Sequence, residues 1–166
     1  MIVFLGLGSN IGNRLVNLSN VLHRLNSIGI KIIKESPIYE TNPKYKLDQK
    51  KFYNQVIKVK TDFYPETLLK YVKNIEFGMG RDLNAEKNSA RIIDIDILAF
   101  EDMEFSSIVL IIPHPLLHER QFILQPWNDI EPDYIVPKLE KSVNQLFLNL
   151  NNKENLLKVN EQKGII

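Results

Sequence analysis

The run Arg91-Ile92-Ile93-Asp94-Ile95-Asp96-Ile97-Leu98 alternates acids with isoleucines at a period of two. An extended strand must therefore turn both carboxylates to one face and Ile93, Ile95 and Ile97 to the other. At a rise of about 3.3 Å per residue the two acids lie roughly 7 Å apart. With an effective dielectric of roughly 20, unit charges at that distance repel by about 2.4 kcal/mol, which a cation between them would relieve. An all-oxygen pair favours Mg²⁺ or Mn²⁺ over a soft-ligand metal such as zinc, and the flanking Arg81 and Arg91 suggest a polyphosphate brought in with the metal. The plainer reading is an edge strand whose polar face meets water. What favours chemistry is the company: Glu76, Arg81, His114 and Arg120 occur in similarly unusual local settings.

Residues 2 to 8 are β-rich and end at Gly8-Ser9-Asn10, after which Asn13 can cap a helix with Leu15, Leu18, Leu22 and Leu25 on one face. Lys31 to Glu40 gives a second extended segment, interrupted by Pro37. Phe52 to Lys60 gives a third, in which Phe52, Asn54 and Val56 share a face. Thr41 to Lys51 between them is a polar loop. Pro65 opens a second helix where proline is tolerated, Leu68, Leu69, Val72 and Ile75 form its buried stripe, and Gly78 and Gly80 end it. With Ile92 to Phe100 as the fourth strand the order is β-α-β-β-α-β, an α+β, ferredoxin-like antiparallel sheet with helices on one face.

The last third of the chain reads as a C-terminal extension. Pro113, Pro115, Pro126, Pro132 and Pro137 imply irregular connections, with short helices expected after His114 and from Lys141 to Leu150. Asn151 to Ile166 is polar with an apolar end, a tail that either docks on the core or stays irregular. No repeat or linker divides the chain, so residues 1–166 are expected to form a single domain with a core over 2–140.

A chain of 166 residues needs neither disulfide nor structural metal to hold a core, since folding at this length buries roughly 70% of the unfolded chain's surface. Its 21 basic and 20 acidic residues leave a formal net charge of +1. A globally basic nucleic-acid binder is therefore not indicated, and phosphate affinity has to come from a local cluster. The absence of cysteine removes thiolate catalysis and Cys-type zinc sites. The apolar start lacks a basic stretch and meets polar residues too early for a signal peptide or membrane span, so a soluble, cytoplasmic monomer is expected.

Gly6-Leu7-Gly8-Ser9-Asn10-Ile11-Gly12 follows a strand and precedes a helix, but its spacing is wrong for a dinucleotide fingerprint. No Walker A loop is present, so any nucleotide is held by side chains and metal. Glu76 sits in the last turn of a helix, where it opposes the negative end of the macrodipole; the alternative is an exposed surface acid. Asp82 to Ala90 is polar, helix-poor and long enough for a flap over a site. His114, between Pro113 and Pro115, is presented from a stiff loop, and Arg120 and Phe122 follow it. Imidazole, guanidinium and aromatic ring together suit phosphate contact beside a stacked planar ligand. His118 and His23 read as surface residues.

Taken together, Gly8-Ser9-Asn10, Glu76 with Gly80-Arg81, Arg91-x-x-Asp94-Ile95-Asp96, and Pro113-His114 with Arg120-x-Phe122 resemble the 6-hydroxymethyl-7,8-dihydropterin pyrophosphokinases of the folate pathway, over residues 2 to about 140. The resemblance implies a ferredoxin-like core, ATP as co-substrate with two Mg²⁺ ions, and transfer of the β,γ-pyrophosphoryl group to a pterin hydroxymethyl with release of AMP. It makes Asp94 and Asp96 the metal ligands. Arg81 and Arg91 would lie along the phosphates, and His114 and Arg120 would stabilise charge on the transferring group and the leaving AMP. Glu76 matches an acid on the ATP side, contacting ribose, while Leu69 and Ile97 match apolar contacts near adenine. Asn54 matches the amide that reads the pterin edge, with Thr41 and Pro43 adding contacts and Phe52 and Phe122 sandwiching the ring.

The chain departs from the family pattern in places. The flap reads Asn88-Ser89-Ala90 where many members carry Trp-Gly-Pro, Leu83 stands where some have an arginine, and Val109, Ile111 and Pro115 replace polar or aromatic neighbours of the nucleotide. Phe52 for tyrosine loses only a hydroxyl. Two rivals share the element order. An RNA-binding module predicts a basic, aromatic sheet face, against which two acids on the fourth strand count. A regulatory small-ligand module predicts binding without magnesium-dependent AMP release.

Overall fold

The computed structural model describes residues 1–82, 84–86 and 88–159. Strand β1 (Ile2–Ser9) leads into helix α1 (Arg14–Ser27), whose first turn is closed by Asn13, its side chain accepting from the Val16 amide. The extended stretch that contains Pro37 is two strands, β2 (Lys31–Glu35) and β3 (Tyr39–Thr41), both paired with β4 (Phe52–Lys60). Proline has no amide to give a ladder, and the break falls there. Helix α2 (Pro65–Gly78) and strand β5 (Asp94–Phe100) complete the core. The sheet runs β5-β1-β4 with β2 and β3 sharing the far side of β4, every pairing antiparallel. That is the strand order expected of a split βαββαβ unit.

Alternation divides the sheet residues up to the irregularity at Phe4/Leu5, beyond which Phe100 joins the core opposite to that of Leu98. Val3, Leu5, Leu7, Ile57, Val59, Ile93, Ile95 and Ile97 join Leu18, Val21 and Leu25 of α1 and Leu68, Val72 and Ile75 of α2 in one core. On α1 the buried stripe is Leu18, Val21 and Leu25, whereas Leu15 is exposed.

The expectation of helices on one face needs correction: the opposite face is covered as well. Helix α3 (Gln121–Ile130) and helix α4 (Val143–Leu148) pack Ile123, Leu124, Trp127, Val143 and Leu146 onto Phe4, Val56 and Leu98. Pro126 lies inside α3, where the burial of Pro126 and Trp127 compensates for the missing amide bond. Ser142 and Gln145 form a reciprocal capping box at the start of α4. The C-terminal extension is thus the second layer of the molecule. Beyond it, Leu157–Lys158 adds a short strand to β3 and Val159 donates to the Ile38 carbonyl at 2.8 Å. The rest of the proposed tail, residues 160–166, and Leu83 of the flap lie outside the described residues. No described helix is long and apolar enough to cross a membrane.

Candidate active site

The face under α3 and α4 is apolar only at one end. At the other end, the same strands carry Asp94 and Asp96 on β5, Gly6 and Gly8 on β1, and Phe52 and Asn54 on β4. Register makes two rows across the sheet, Asn54–Gly8–Asp94 and Val56–Gly6–Asp96. A trench of about 640 Å³ opens over them, walled by the loop after β3, by residues 80–82, 85–86 and 88–92, and by His114, Arg120 and Phe122.

The carboxylates face the trench, as the alternation requires, and their surroundings differ. Asp94 is clamped: its Oδ1 accepts from Arg81 Nη1 at 2.7 Å and its Oδ2 from Arg91 Nη1 at 2.9 Å. Among the described residues the side chain of Asp96 has only a long polar contact, 3.5 Å from Arg120 Nη1. Loss of hydration and the neighbouring Asp94 charge push its carboxyl above the usual carboxylate range, against the pull of His114, Lys73 and Arg120.

Arg81 is delivered by the end of α2. Gly80, with φ of +95°, takes the left-handed position after the helix, and the Arg81 amide reaches back to the Glu76 carbonyl at 3.1 Å, the closing bond of a Schellman motif. Glu76 is not the exposed acid of the alternative reading. It is 1% exposed, and its Oε1 accepts from the Ile95 amide at 2.7 Å and from Lys73 Nζ at 2.9 Å. Its Oε2 pairs with Arg81. Burial nevertheless raises its carboxyl above the ordinary range, with Lys73 and the Ile95 amide opposing that shift. Both oxygens of Glu76 are therefore engaged by protein groups, one of them the amide between the two aspartates.

His114 is fixed at both ends. Its amide donates to the Leu98 carbonyl at 2.9 Å, and its Nδ1 accepts from the Leu116 amide at 3.1 Å. The accepting Nδ1 puts the neutral ring's proton on Nε2, which lies 3.4 Å from Arg120 Nη1. Burial lowers the imidazole's affinity for a second proton, with Asp96 opposing and Arg120 reinforcing. Two donors thus converge beside Asp96, and the polar contacts of the Arg120 guanidinium with described residues are all 3.4 Å or longer.

On the β4 side, Asn54 Nδ2 donates to Thr41 Oγ1 at 2.6 Å, both residues being buried. No described residue donates to Asn54 Oδ1. The two phenylalanine rings of the trench each carry a guanidinium, Arg91 at 5.8 Å from the Phe52 centroid and Arg120 at 5.7 Å from that of Phe122. Pro43 belongs to the same wall. Leu69 and Ile97 do not reach the trench: period two sends Ile97 with Ile95 to the helix-facing core, and Leu69 packs against that core.

Lys73 was not singled out by sequence, and the Gly8-Ser9-Asn10 turn contributed to the resemblance without a role for Ser9 or Asn10. Lys73 lines the trench from α2, one turn before Glu76; an i, i+3 pair of opposite charges was the available signal. Asn10, 1% exposed, takes the Arg91 amide on Oδ1 at 2.7 Å and gives Nδ2 to Gln49 Oε1 and the Lys50 carbonyl. Ser9 Oγ accepts from Asn17 Nδ2 at 3.0 Å. The Gly-Ser-Asn turn is thus a pin between β1, the residue 42–51 loop and the arginine that precedes β5. Across the trench mouth, Lys46 pairs with Glu86 and Gln49 Nε2 donates to the Asn88 carbonyl at 2.7 Å. Asn88, at φ of +63°, takes a left-handed turn that asparagine tolerates.

A protein-family model described as 7,8-dihydro-6-hydroxymethylpterin-pyrophosphokinase (HPPK) matches residues 4–132. The chain belongs to that family. Among curated relatives, "Folic acid synthesis protein FOL1" of Dictyostelium discoideum is 42% identical over 155 residues, 93% of this chain and 23% of that protein. The "2-amino-4-hydroxy-6-hydroxymethyldihydropteridine pyrophosphokinase" of Aquifex aeolicus is 36% identical over 143 residues, 86% of this chain and 88% of that protein. A crystal structure of a Plasmodium falciparum HPPK-DHPS variant superposes with a TM-score of 0.76 at 22% identity, covering 95% of this chain and 48% of that one, a likeness of fold. The chain spans only about a fifth to a quarter of the first curated relatives, at 23%, 20% and 19% of their lengths.

Proposed function

We propose that the chain transfers the β,γ-pyrophosphoryl group of ATP to the hydroxymethyl oxygen of 6-hydroxymethyl-7,8-dihydropterin. The new bond joins that oxygen to the β-phosphorus, the bond from the β-phosphorus to the α-phosphate oxygen breaks, AMP leaves with the electron pair, and the hydroxyl proton passes to solvent. The observation that carries the reading is the cross-strand row Asn54–Gly8–Asp94. It sets an amide suited to a heterocycle edge two strands from a pair of carboxylates, about 10 Å at normal strand spacing. A bare strand lies between them.

The donor set fits a hard cation. Asp94 and Asp96 offer only carboxylate oxygens, and among the described residues no group of three or more His, Cys, Asp or Glu gathers around one point. Phosphate oxygens and water would complete such a shell, as Mg²⁺ prefers. Bound there, two Mg²⁺ ions would neutralise the triphosphate and activate the attacking hydroxyl. The remaining work belongs to side chains already in place. Arg81 and Arg91, each holding one oxygen of Asp94, stand where phosphate oxygens would replace that carboxylate as acceptor. Arg120 and the Nε2–H of His114 present donors to charge developing on the transferred group. Phe52 and Phe122 offer ring faces, and Asn54 Oδ1 an acceptor for a ring N–H.

The test is product identity. ATP and Mg²⁺ incubated with and without the pterin should yield AMP only when pterin is present, together with the pterin diphosphate. ADP as product, or no turnover by a folded sample, would contradict the proposal.

A further inference from the structure

Gly6 and Gly8 lie inside β1 with extended backbone, whereas Gly12, Gly29 and Gly80 occupy the left-handed region. In a strand interior glycine is a burden, because it surrenders more chain entropy than alanine and packs nothing. Backbone geometry does not call for it at either position, so the reason has to lie above the strand. A Cβ on Gly8 would stand 3.1 Å from Asn54 Oδ1 and 3.7 Å from Phe52 Cδ1. Asn54 has little freedom to yield, since it is 6% exposed and its Nδ2 is tied to Thr41 Oγ1 at 2.6 Å. At Gly6 the nearest atoms to an added Cβ belong to the Leu98 side chain, the first at 3.3 Å, and none of them to Asn54.

We propose that Gly8 is a specificity-determining residue whose bare Cα keeps open the space in which Asn54 Oδ1 reads the N–H edge of a flat heterocycle. The inference rests on the pyrophosphokinase reading and deepens it. Asn54 gives an amide hydrogen to Thr41 Oγ1 and no described residue donates to its Oδ1, so that oxygen is an acceptor suited to a ring edge carrying N–H and amino donors. A methyl on residue 8 would stand beside that acceptor and displace it, and hydrogen bonds weaken steeply as their angle and distance leave the favoured range.

The test compares wild type, Gly8→Ala, Asn54→Ala and the double variant by calorimetric titration. The titrants are a non-hydrolysable ATP analogue with Mg²⁺, then 6-hydroxymethylpterin in its presence. Gly8→Ala should bind nucleotide within about twofold of wild type and lose pterin affinity by at least about tenfold. Its KM for pterin should rise by more than its kcat falls. In the Asn54→Ala background the same change should cost less than about threefold, because the two residues act as a unit. That comparison also serves if Gly8→Ala alone does not fold, since the double variant lacks the clash. Unchanged pterin affinity in Gly8→Ala, equal losses of nucleotide and pterin, or a larger loss in the double variant would overturn the assignment. A wild type that binds no pterin would defeat the functional reading and this inference together, and would be seen before any substitution is made.

Discussion

One face of the sheet is used twice. At the end under α3, Phe4, Val56 and Leu98 are closed beneath Trp127, whose ring lies 4.9 Å from that of Phe4 and 5.6 Å from that of Tyr134. At the other end, two residues along the same strands, Gly6, Gly8, Asn54, Asp94 and Asp96 floor an open trench. The first end spends side-chain volume on stability. The second gives up volume at its glycines and tolerates two close carboxylates, one held by arginines and the other pushed toward its neutral form. Function here occupies the part of a sheet face that the fold leaves uncovered, and the local strain is carried by the packed end.

That division can be broken by substitution, and the largest effect should come from the open end. Asp96→Ala removes a metal ligand whose contribution to transition-state charge is several kcal/mol, so pterin-dependent AMP formation should fall by about a thousandfold or more. Its thermal midpoint should stay level or rise, because the change also removes a carboxylate that repels Asp94. Near-normal turnover would remove the metal assignment. The converse belongs to the packed end. Trp127→Ala should cost about 3–5 kcal/mol in urea unfolding, and in the remaining folded fraction the affinity for MgATP should be close to wild type. A selective loss of nucleotide binding would show that the two ends are not separable.

Glu76 joins the two regimes, being buried like a core residue and bonded to Arg81 and the Ile95 amide. Glu76→Gln keeps one acceptor for Ile95 and leaves Arg81 and Lys73 short of charge. It should lower stability by about 1–3 kcal/mol and weaken MgATP binding as well, and an effect on only one of the two would reassign it to one end. The smallest effect is expected far from the trench, at Glu131. Its partial burial is outweighed by hydrogen bonds and charge from Lys58 and Lys34, which hold its carboxyl below the ordinary range. A depressed carboxyl contributes stability above its unfolded value that is lost as the pH falls through the folded one. Glu131→Gln should therefore shallow the loss of urea stability below about pH 4.3 and leave activity at neutral pH unchanged. A steeper acid limb would contradict the assigned direction.

How legible each region was in the sequence follows the same division. Strands and helices of the dry face announce themselves by period: Ile93, Ile95 and Ile97, or Leu68, Val72 and Ile75, repeat at spacings that admit one structure. The alternation also placed both aspartates on the correct face. The helices of the second layer were expected after His114 and from Lys141 to Leu150, but the prolines argued for irregular connections and gave no sign that these helices cover the sheet, as Trp127 of α3 does by packing on Phe4. Glu76 was ambiguous because helix position says nothing about what lies across from it, and its partner amide at Ile95 is 19 residues away. The glycines of β1 resembled a failed nucleotide loop. Their use became visible only when antiparallel register set Gly8 between Asn54 and Asp94.

The most direct measurement is a pair of titrations on Asn54→Ala: a non-hydrolysable ATP analogue with Mg²⁺, and then 6-hydroxymethylpterin in its presence. If the β5 side holds the metal-bound triphosphate and the β4 side the heterocycle, nucleotide affinity should remain near the wild-type value while pterin affinity falls by about 1–3 kcal/mol, the value of a lost buried hydrogen bond. Equal weakening of both ligands, or loss of the nucleotide alone, would contradict a trench divided between two substrates.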